Sequence, residues 1–458
     1  MRSVSATLAT AQSAASRTPY IKMLFTSGDG LTTKDFSTNS VAFGNRILSI
    51  KHHEEAYNDY AVVILKDPDS IIPNIRGYWT EIGYGDTTGA GNEYSGSQTA
   101  RLYVKHQRHV TAQGKLYTAL ELEGLWTRMH QTIIRIGSAP LFQSTYDGTT
   151  NTVYSILKLI FTHAGLSLPV ASPVDDGIIN TLKPIFALNE NPYERVKSVV
   201  FRLIGLTRCY LRPPSATGLE FGVVWPQAGD AVALTYYSGQ SPYFHTFMER
   251  AAALVPNHWV VYGNQGTDGD WTGLITSAAP DGVSQADIDA LYEVYAIALA
   301  PDMTLQAEVN TQAAVRLIRT RAENESGIAL IPHDCRLELY DKLAFVDSRG
   351  GGTTYPTNNM TRVGGLVHTY EPGKYQLEIH LGGASTTEKF AADTIIQGKE
   401  LDGLPVSEEL IALEKSLQAI ENPLERALED PRIYQLEKSP QAINYPLGKT
   451  RKGPEFYE

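Results

Sequence analysis

The residues with chemistry in reach are few and scattered. His52-His53-Glu54-Glu55 offers two imidazoles and two carboxylates in a row. Adjacent strand residues point to opposite faces, so His52 and His53 are not expected to share a metal. His106 and His109 flank Arg108 three positions apart, which on a strand again places them on opposite faces. Asp175-Asp176 and the pair Asp268 and Asp270 could supply acid and base for glycoside cleavage. Both lie in stretches rich in Gly or Pro, where Asp more simply makes turns. His333 and Asp334 precede Cys335 without a nucleophile motif around them, and GxSxG, GxxxxGK[ST], HExxH and GxGxxG do not occur. Gly350-Gly351-Gly352 reads as a hairpin tip rather than a phosphate cradle. The expectation is therefore no catalytic, cofactor-binding or metal-ligating residue, no cofactor, and no enzyme.

The elements that would position these residues are mostly strands. The 25 Tyr and 13 Phe, with many Val, Ile and Thr, favour them. Residues 1–30 read as a short Ala-rich helix and a strand, Pro19 to Ser27; the absence of acids before Asp29 has a transit-peptide flavour, but the helix is the simpler reading. Residues 31–145 read as one antiparallel β-barrel or sandwich. In it Ile47, Ser49 and Lys51 alternate against Leu48 and Ile50, Ala61 to Lys66 is a dense apolar run ended by Asp67-Pro68-Asp69-Ser70, and Gly77 to Gly85 is a further strand. Arg101 to Val110 and Leu116 to Trp126 make a hairpin around Gly114. Tyr57, Tyr60, Tyr78, Tyr84, Tyr103 and Tyr117 interleave with these strands as packing residues rather than a stacking platform for sugars or bases.

Residues 146–240 change character. Val153, Ile156, Leu157, Ile160 and Phe161 recur at helical spacing after the N-cap candidates Asn151 and Thr152, with Gly165 as a stop. A second helix is expected over Asn191 to Leu206, with Asn191 as N-cap, Pro192 at the first helical position and Glu194 completing a capping box. A hairpin, Cys209 to Pro226, completes a small α+β unit. Over 241–385 the pattern predicts a helix at Ser241 to Pro256, a strand at His258 to Gln265, a long loop over 266–305 with a brief helix from Ser284, and a helix at Thr304 to Ser326. Strands return at Cys335 to Asp347 and in a hairpin from Thr361 to Gly383. Residues 386–458 read as a short helix, Ser407 to Ile420, and an extended arm.

In 458 residues, 42% hydrophobic and 19% charged, this is an α+β, mainly β, multidomain protein. Lys and Arg total 39 against 50 Asp and Glu, a net charge of −11, which is the wrong balance for a nucleic-acid binder. Cys209 and Cys335 lie far apart and read as reduced, buried thiols. No run of about 18 apolar residues could span a membrane.

The order of these units resembles the baseplate or tail-tip hub proteins of long-tailed bacteriophages, including the late control protein D family. The resemblance is carried by ILSIKHHEEAYNDYAVVILKDPDS (Ile47 to Ser70), Arg76-Gly77-Tyr78, the hairpin Leu102 to Gly124, the helix Thr152 to Leu166, and the stretches Gly327 to Gly351 and Arg362 to Gly383. It covers about residues 20 to 385. It implies two tail-tube-like antiparallel β-barrels around a small α+β domain. It further implies a homotrimeric ring joining the distal tail tube, or the distal tail protein, to a central spike or fibre. DNA would pass the lumen without specific binding, in a virion assembled in the host cytoplasm. An acidic wall that captures no phosphates suits such a conduit. Two other readings are a carbohydrate-binding or carbohydrate-cleaving tail protein and another ring of the same tail.

Overall fold

The computed structural model describes residues 1–382 except 15, 97–98, 113, 136–144, 189–193, 215–217, 251–257, 264–294, 301–305, 325, 349–351 and 357–360. The chain divides into two units, Met1–Asp402 and Gly403–Glu458, and only the first contains described residues. The arm and its helix, the loop helix from Ser284, and Asp268 and Asp270 lie outside the described residues.

The first region begins with α1 (Ala6–Gln12), capped by the Ser5 side chain, which accepts from the Leu8 amide. It continues with β1 (Pro19–Lys22), β2 (Leu24–Thr26), β3 (Thr33–Asp35), β4 (Ile47–Glu55) and β5 (Asn58–Lys66). Next come β6 (Trp79–Thr80), β7 (Gly83–Thr88), β8 (Gly91–Tyr94), β9 (Leu102–Ala112) and β10 (Lys115–Glu123). The middle region holds α2 (Leu125–Gln131), β11 (Thr145–Asp147), α3 (Val153–His163), β12 (Ile185–Ala187), α4 (Val196–Ile204), β13 (Tyr210–Arg212) and β14 (Gly222–Val224). The last contains β15 (Leu234–Tyr237), β16 (Thr246–Arg250), β17 (His258–Gly263), β18 (Tyr295–Ala300) and α5 (Gln306–Asn324). It ends with β19 (Ser326–Pro332), β20 (Leu343–Asp347), β21 (Thr353–Tyr355), β22 (Val363–Glu371) and β23 (Lys374–Leu381).

The protein is α+β and mainly β, as expected. Its main sheet has eleven antiparallel strands in the order β16-β19-β23-β22-β4-β5-β10-β9-β6-β2-β3. The early and late β regions are therefore joined edge to edge by β4 and β22, with Gly365 opposite Glu55 and Tyr370 opposite Ile50. No closed barrel is present among the described strands. One face of the main sheet packs a core of Ile50, Val63, Leu65, Leu120 and Leu122. A second core links the middle helices to Leu366, Leu377 and Ile379 of β22 and β23, so the middle region and the returning strands share their apolar interior.

Several boundaries differ from the sequence reading for local reasons. A bulge between Ile47 and Ser49 resets the alternation, burying both Ile47 and Ile50 and leaving Leu48 half-buried. β10 stops at Glu123 and α2 begins at Leu125, because Gly124 brings its backbone against Asp59: a Cβ there would lie 2.7 Å from the Asp59 side chain. α4 starts at Val196, with Arg195 at the N-cap position making no side-chain capping bond, while Glu194 binds Arg202 at 2.6 Å; Asn191 and Pro192 lie outside the described residues. In the described part of the helix expected over Ser241 to Pro256, bends are followed by strand β16, since Phe247 packs against Phe345 and β19 supplies a hydrogen-bonding partner. Cys335 to Tyr340 forms turns rather than strand, and β18, absent from the sequence reading, pairs in parallel with β17.

Candidate functional site

Among the described residues the densest polar cluster is buried under the β4–β22 seam. On β4, His52 and Glu54 share the inward face with Ile50, and His368 stands directly opposite His52 on β22. Arg2 reaches in from the chain's first residues and places Nη2 2.6 Å from Glu54 Oε2. His368 Nε2 approaches Glu54 Oε1 at 3.1 Å, away from the ideal N–H direction. On its other side His368 Nδ1 lies 2.8 Å from His333 Nε2. His52 Nε2 lies 3.0 Å from Asp59 Oδ1 and its Nδ1 3.2 Å from the Tyr84 hydroxyl. The neighbours assign the tautomers: His333 Nε2–H donates to His368 Nδ1, and His52 Nε2–H donates to Asp59. Tyr84 stacks on His368 at 4.5 Å and Tyr375 on His333 at 4.2 Å.

The electrostatics follow from burial. Desolvation holds His52 and His368 down at about 4, outweighing the pull of Glu54 on each. Desolvation, with His368 beside it, also lowers His333 well below its ordinary value. Burial opposes ionisation of Glu54, yet Arg2 and His368 outweigh it and hold the carboxyl well below its usual range. Asp59, buried near Glu54, is raised. Next to the cluster lies a cavity of about 20 Å³ lined by Arg2, Glu54, Asp59, Arg212 and Glu338, large enough for a single water.

His52, Glu54 and His368 bring potential ligand atoms within 4.8 Å of one another. Their ring nitrogens are already engaged within the protein: His52 Nε2 by Asp59, His52 Nδ1 by Tyr84 and His368 Nδ1 by His333. The Arg2 guanidinium already neutralises Glu54. The arrangement is a neutral, interlocked polar core that ties the N-terminal segment to the seam.

The other candidates fall into structural roles. His53 faces the opposite side from His52 and stacks on Tyr60 at 4.4 Å. His106 lies opposite Glu121, whereas His109 points to the other face, 3.1 Å from Thr118 Oγ1. Asp175 Oδ1 accepts from the Gly177 amide. Asp176 accepts from the amides of Ile178, Ile179 and Arg208, so this pair is spent on turns. Asp334 binds Arg336 at 2.6 Å and accepts from the Tyr236 hydroxyl at 2.9 Å. Burial pushes the Cys335 thiol up to about 12, and Cys209 is buried too; both cysteines are free. Gly352, at φ 80°, sits in the β20–β21 turn. Tyr57, Tyr60 and Tyr84 are buried and Tyr78, Tyr103 and Tyr117 partly so. The sequence reading missed Arg2 and His368. Their signal was a polar residue on the apolar phase of a strand: His368 shares the face of Leu366 and Tyr370, as His52 and Glu54 share that of Ile50.

The opposite face of the main sheet is broad and charged. Lys105 pairs with Glu123, Arg108 with Glu121 at 3.0 Å, His53 with Glu55 at 3.4 Å and His380 with Glu378 at 2.7 Å.

No family model matches the chain, and no curated protein matches it. Its fold is shared with solved tail proteins. The tail protein from Neisseria meningitidis MC58 has a TM-score of 0.55 at 11% identity, over 80% of this chain and 97% of that one. The 43 kDa tail protein of prophage MuSo2 from Shewanella oneidensis gives 0.53 at 9%, over 79% and 97%. Prophage tail protein gp18 from Listeria monocytogenes EGD-e gives 0.51 at 11%, over 82% and 100%. The chain thus has a tail-hub-like fold, as the resemblance in its sequence implied.

Proposed function

We propose that the protein is a structural component of a phage tail: a hub ring joining the distal tube to a central spike or fibre and letting DNA pass. The observation that carries this reading is the eleven-stranded sheet within a fold that spans nearly the whole length of three solved tail proteins, two of them from prophages. In this reading the segments 31–145 and 241–385 act as paired tube-like modules fused at the β4–β22 seam. Among the described strands β16 and β3 stand at the two ends of the sheet, where their outer edges could pair with neighbouring copies. The ion pairs Lys105–Glu123 and Arg108–Glu121 on the opposite sheet face, with the net charge of −11, give that face little pull on phosphates, which suits a path for DNA. The mechanism is assembly and conformational opening, without covalent chemistry. The glycosidase alternative loses its best acid pair, since Asp176 is committed to three backbone amides.

Size-exclusion chromatography with light scattering is expected to give a trimer, or a monomer that forms trimers on isolated tail tubes. A monomer that binds no tube, together with glycan cleavage lost in Asp175→Asn, would overturn the reading.

A further inference from the structure

His52, His333 and His368 come from β4, the turn after β19, and β22, and all three are fully buried. The rings adjoin one another: His52 and His368 stack with centroids 5.2 Å apart, and His333 lies tilted to His368 with centroids 5.1 Å apart and Nε2 2.8 Å from His368 Nδ1. The charged and titratable groups around these rings come from every element packed on them. The N-terminal segment contributes Arg2 and Arg17, β4 Glu54, β5 Asp59, and β7 Tyr84 and Asp86. β23 contributes Tyr375, and the turn after β19 contributes Asp334, Cys335 and Glu338. Glu54 is already matched by Arg2, and Asp86 by Arg17 at 3.0 Å. His52 has Asp59 3.0 Å away, whereas a proton added to His333 or His368 creates a buried cation beside two guanidiniums whose carboxylates, Glu54 and Asp86, are already matched.

We propose that this histidine triad is an acid-sensitive latch: protonation opens the β4–β22 seam and frees the N-terminal segment that Arg2 anchors there. The inference rests on the seam's geometry and does not depend on the tail reading. The folded rings stay neutral, whereas an opened or unfolded chain takes up protons near the ordinary histidine value of 6.5. The seam is thus fully held above that value and weakens as the pH falls towards 4, by about 30-fold per histidine at pH 5.

Hydrogen exchange on the full chain tests this, with rates corrected for intrinsic chemistry. Between pH 7 and pH 5 the β4–β22 amides, such as those of Lys51 and Thr369, are expected to lose at least 30-fold protection while the β9–β10 hairpin keeps its own. In the His333→Gln/His368→Gln variant that loss is expected to shrink at least tenfold. Equal loss in both regions, or the same loss in the variant, overturns the proposal. Should the variant fail to fold, the wild-type ring resonances decide: three histidines that resist titration down to pH 5 support the latch. All eleven titrating near 6.5 with the seam intact refutes it.

Discussion

Arg2 and Glu54 stand or fall together. Each is almost fully buried, and each is tolerated there because the other cancels its charge. Arg2→Met should cost about 3–5 kcal/mol in urea unfolding, because it strands the Glu54 carboxylate, while Arg2→Met/Glu54→Leu should recover most of that loss. Glu54 also sets an acid limit. Its folded value is depressed, so its stabilisation is complete above the ordinary 4.5 and fades as the pH falls below that value. Asp176→Asn should destabilise by about 1–3 kcal/mol, since an amide cannot accept from the three backbone N–H groups that the carboxylate satisfies. Asp175→Asn should be nearly silent. Cys209 and Cys335 should react with a thiol reagent only after denaturation, because burial raises both thiols and blocks access.

At the scale of elements, the hairpin β4–β5 does more than pair strands. Its tip residue Tyr57 adopts φ 65° and inserts between Trp126 of α2 and Phe201 of α4, with ring centroids 4.8 and 4.4 Å away. The first β region is thereby pinned to the helical middle. Tyr57→Ala should cost about 3–5 kcal/mol in equilibrium unfolding, far more than Tyr117→Ala on the sheet's outer face. α5 is held in a related way. The Arg319 guanidinium donates to the carbonyls of Ile204, Thr207 and Cys209, at and just past the end of α4. Arg319→Lys should lose about 1–3 kcal/mol, as an ammonium cannot reproduce the planar fork.

At the scale of the whole molecule, the charge pattern predicts indifference to DNA. With a net charge of −11 and Lys105 and Arg108 of the sheet face paired to Glu123 and Glu121, the protein should show no salt-dependent binding to duplex DNA by fluorescence anisotropy, even at about 50 mM salt. Binding that falls steeply with salt would count against a conduit role.

How much of this was legible in the sequence varies with the range of the interaction. The dense apolar run Ala61 to Lys66, the period-two run Lys374 to Leu381 and the helical stripe from Val153 to Phe161 declare themselves because side-chain direction is set by the local backbone. Residues 241–250 misled because helical spacing of apolar residues is weak evidence once a neighbouring strand offers a ladder of hydrogen bonds. The opposite faces of His52 and His53 followed from strand geometry alone. That His52 would meet His368, 316 positions away, did not, because local periodicity carries no information about which strands pair. Composition, charge and the succession of strand and helix were determined by the sequence itself. The fusion of two β regions into one sheet, and the buried Arg–Glu–His core under the join, were decided only when the chain closed on itself, since long-range register is fixed by packing the whole interior at once.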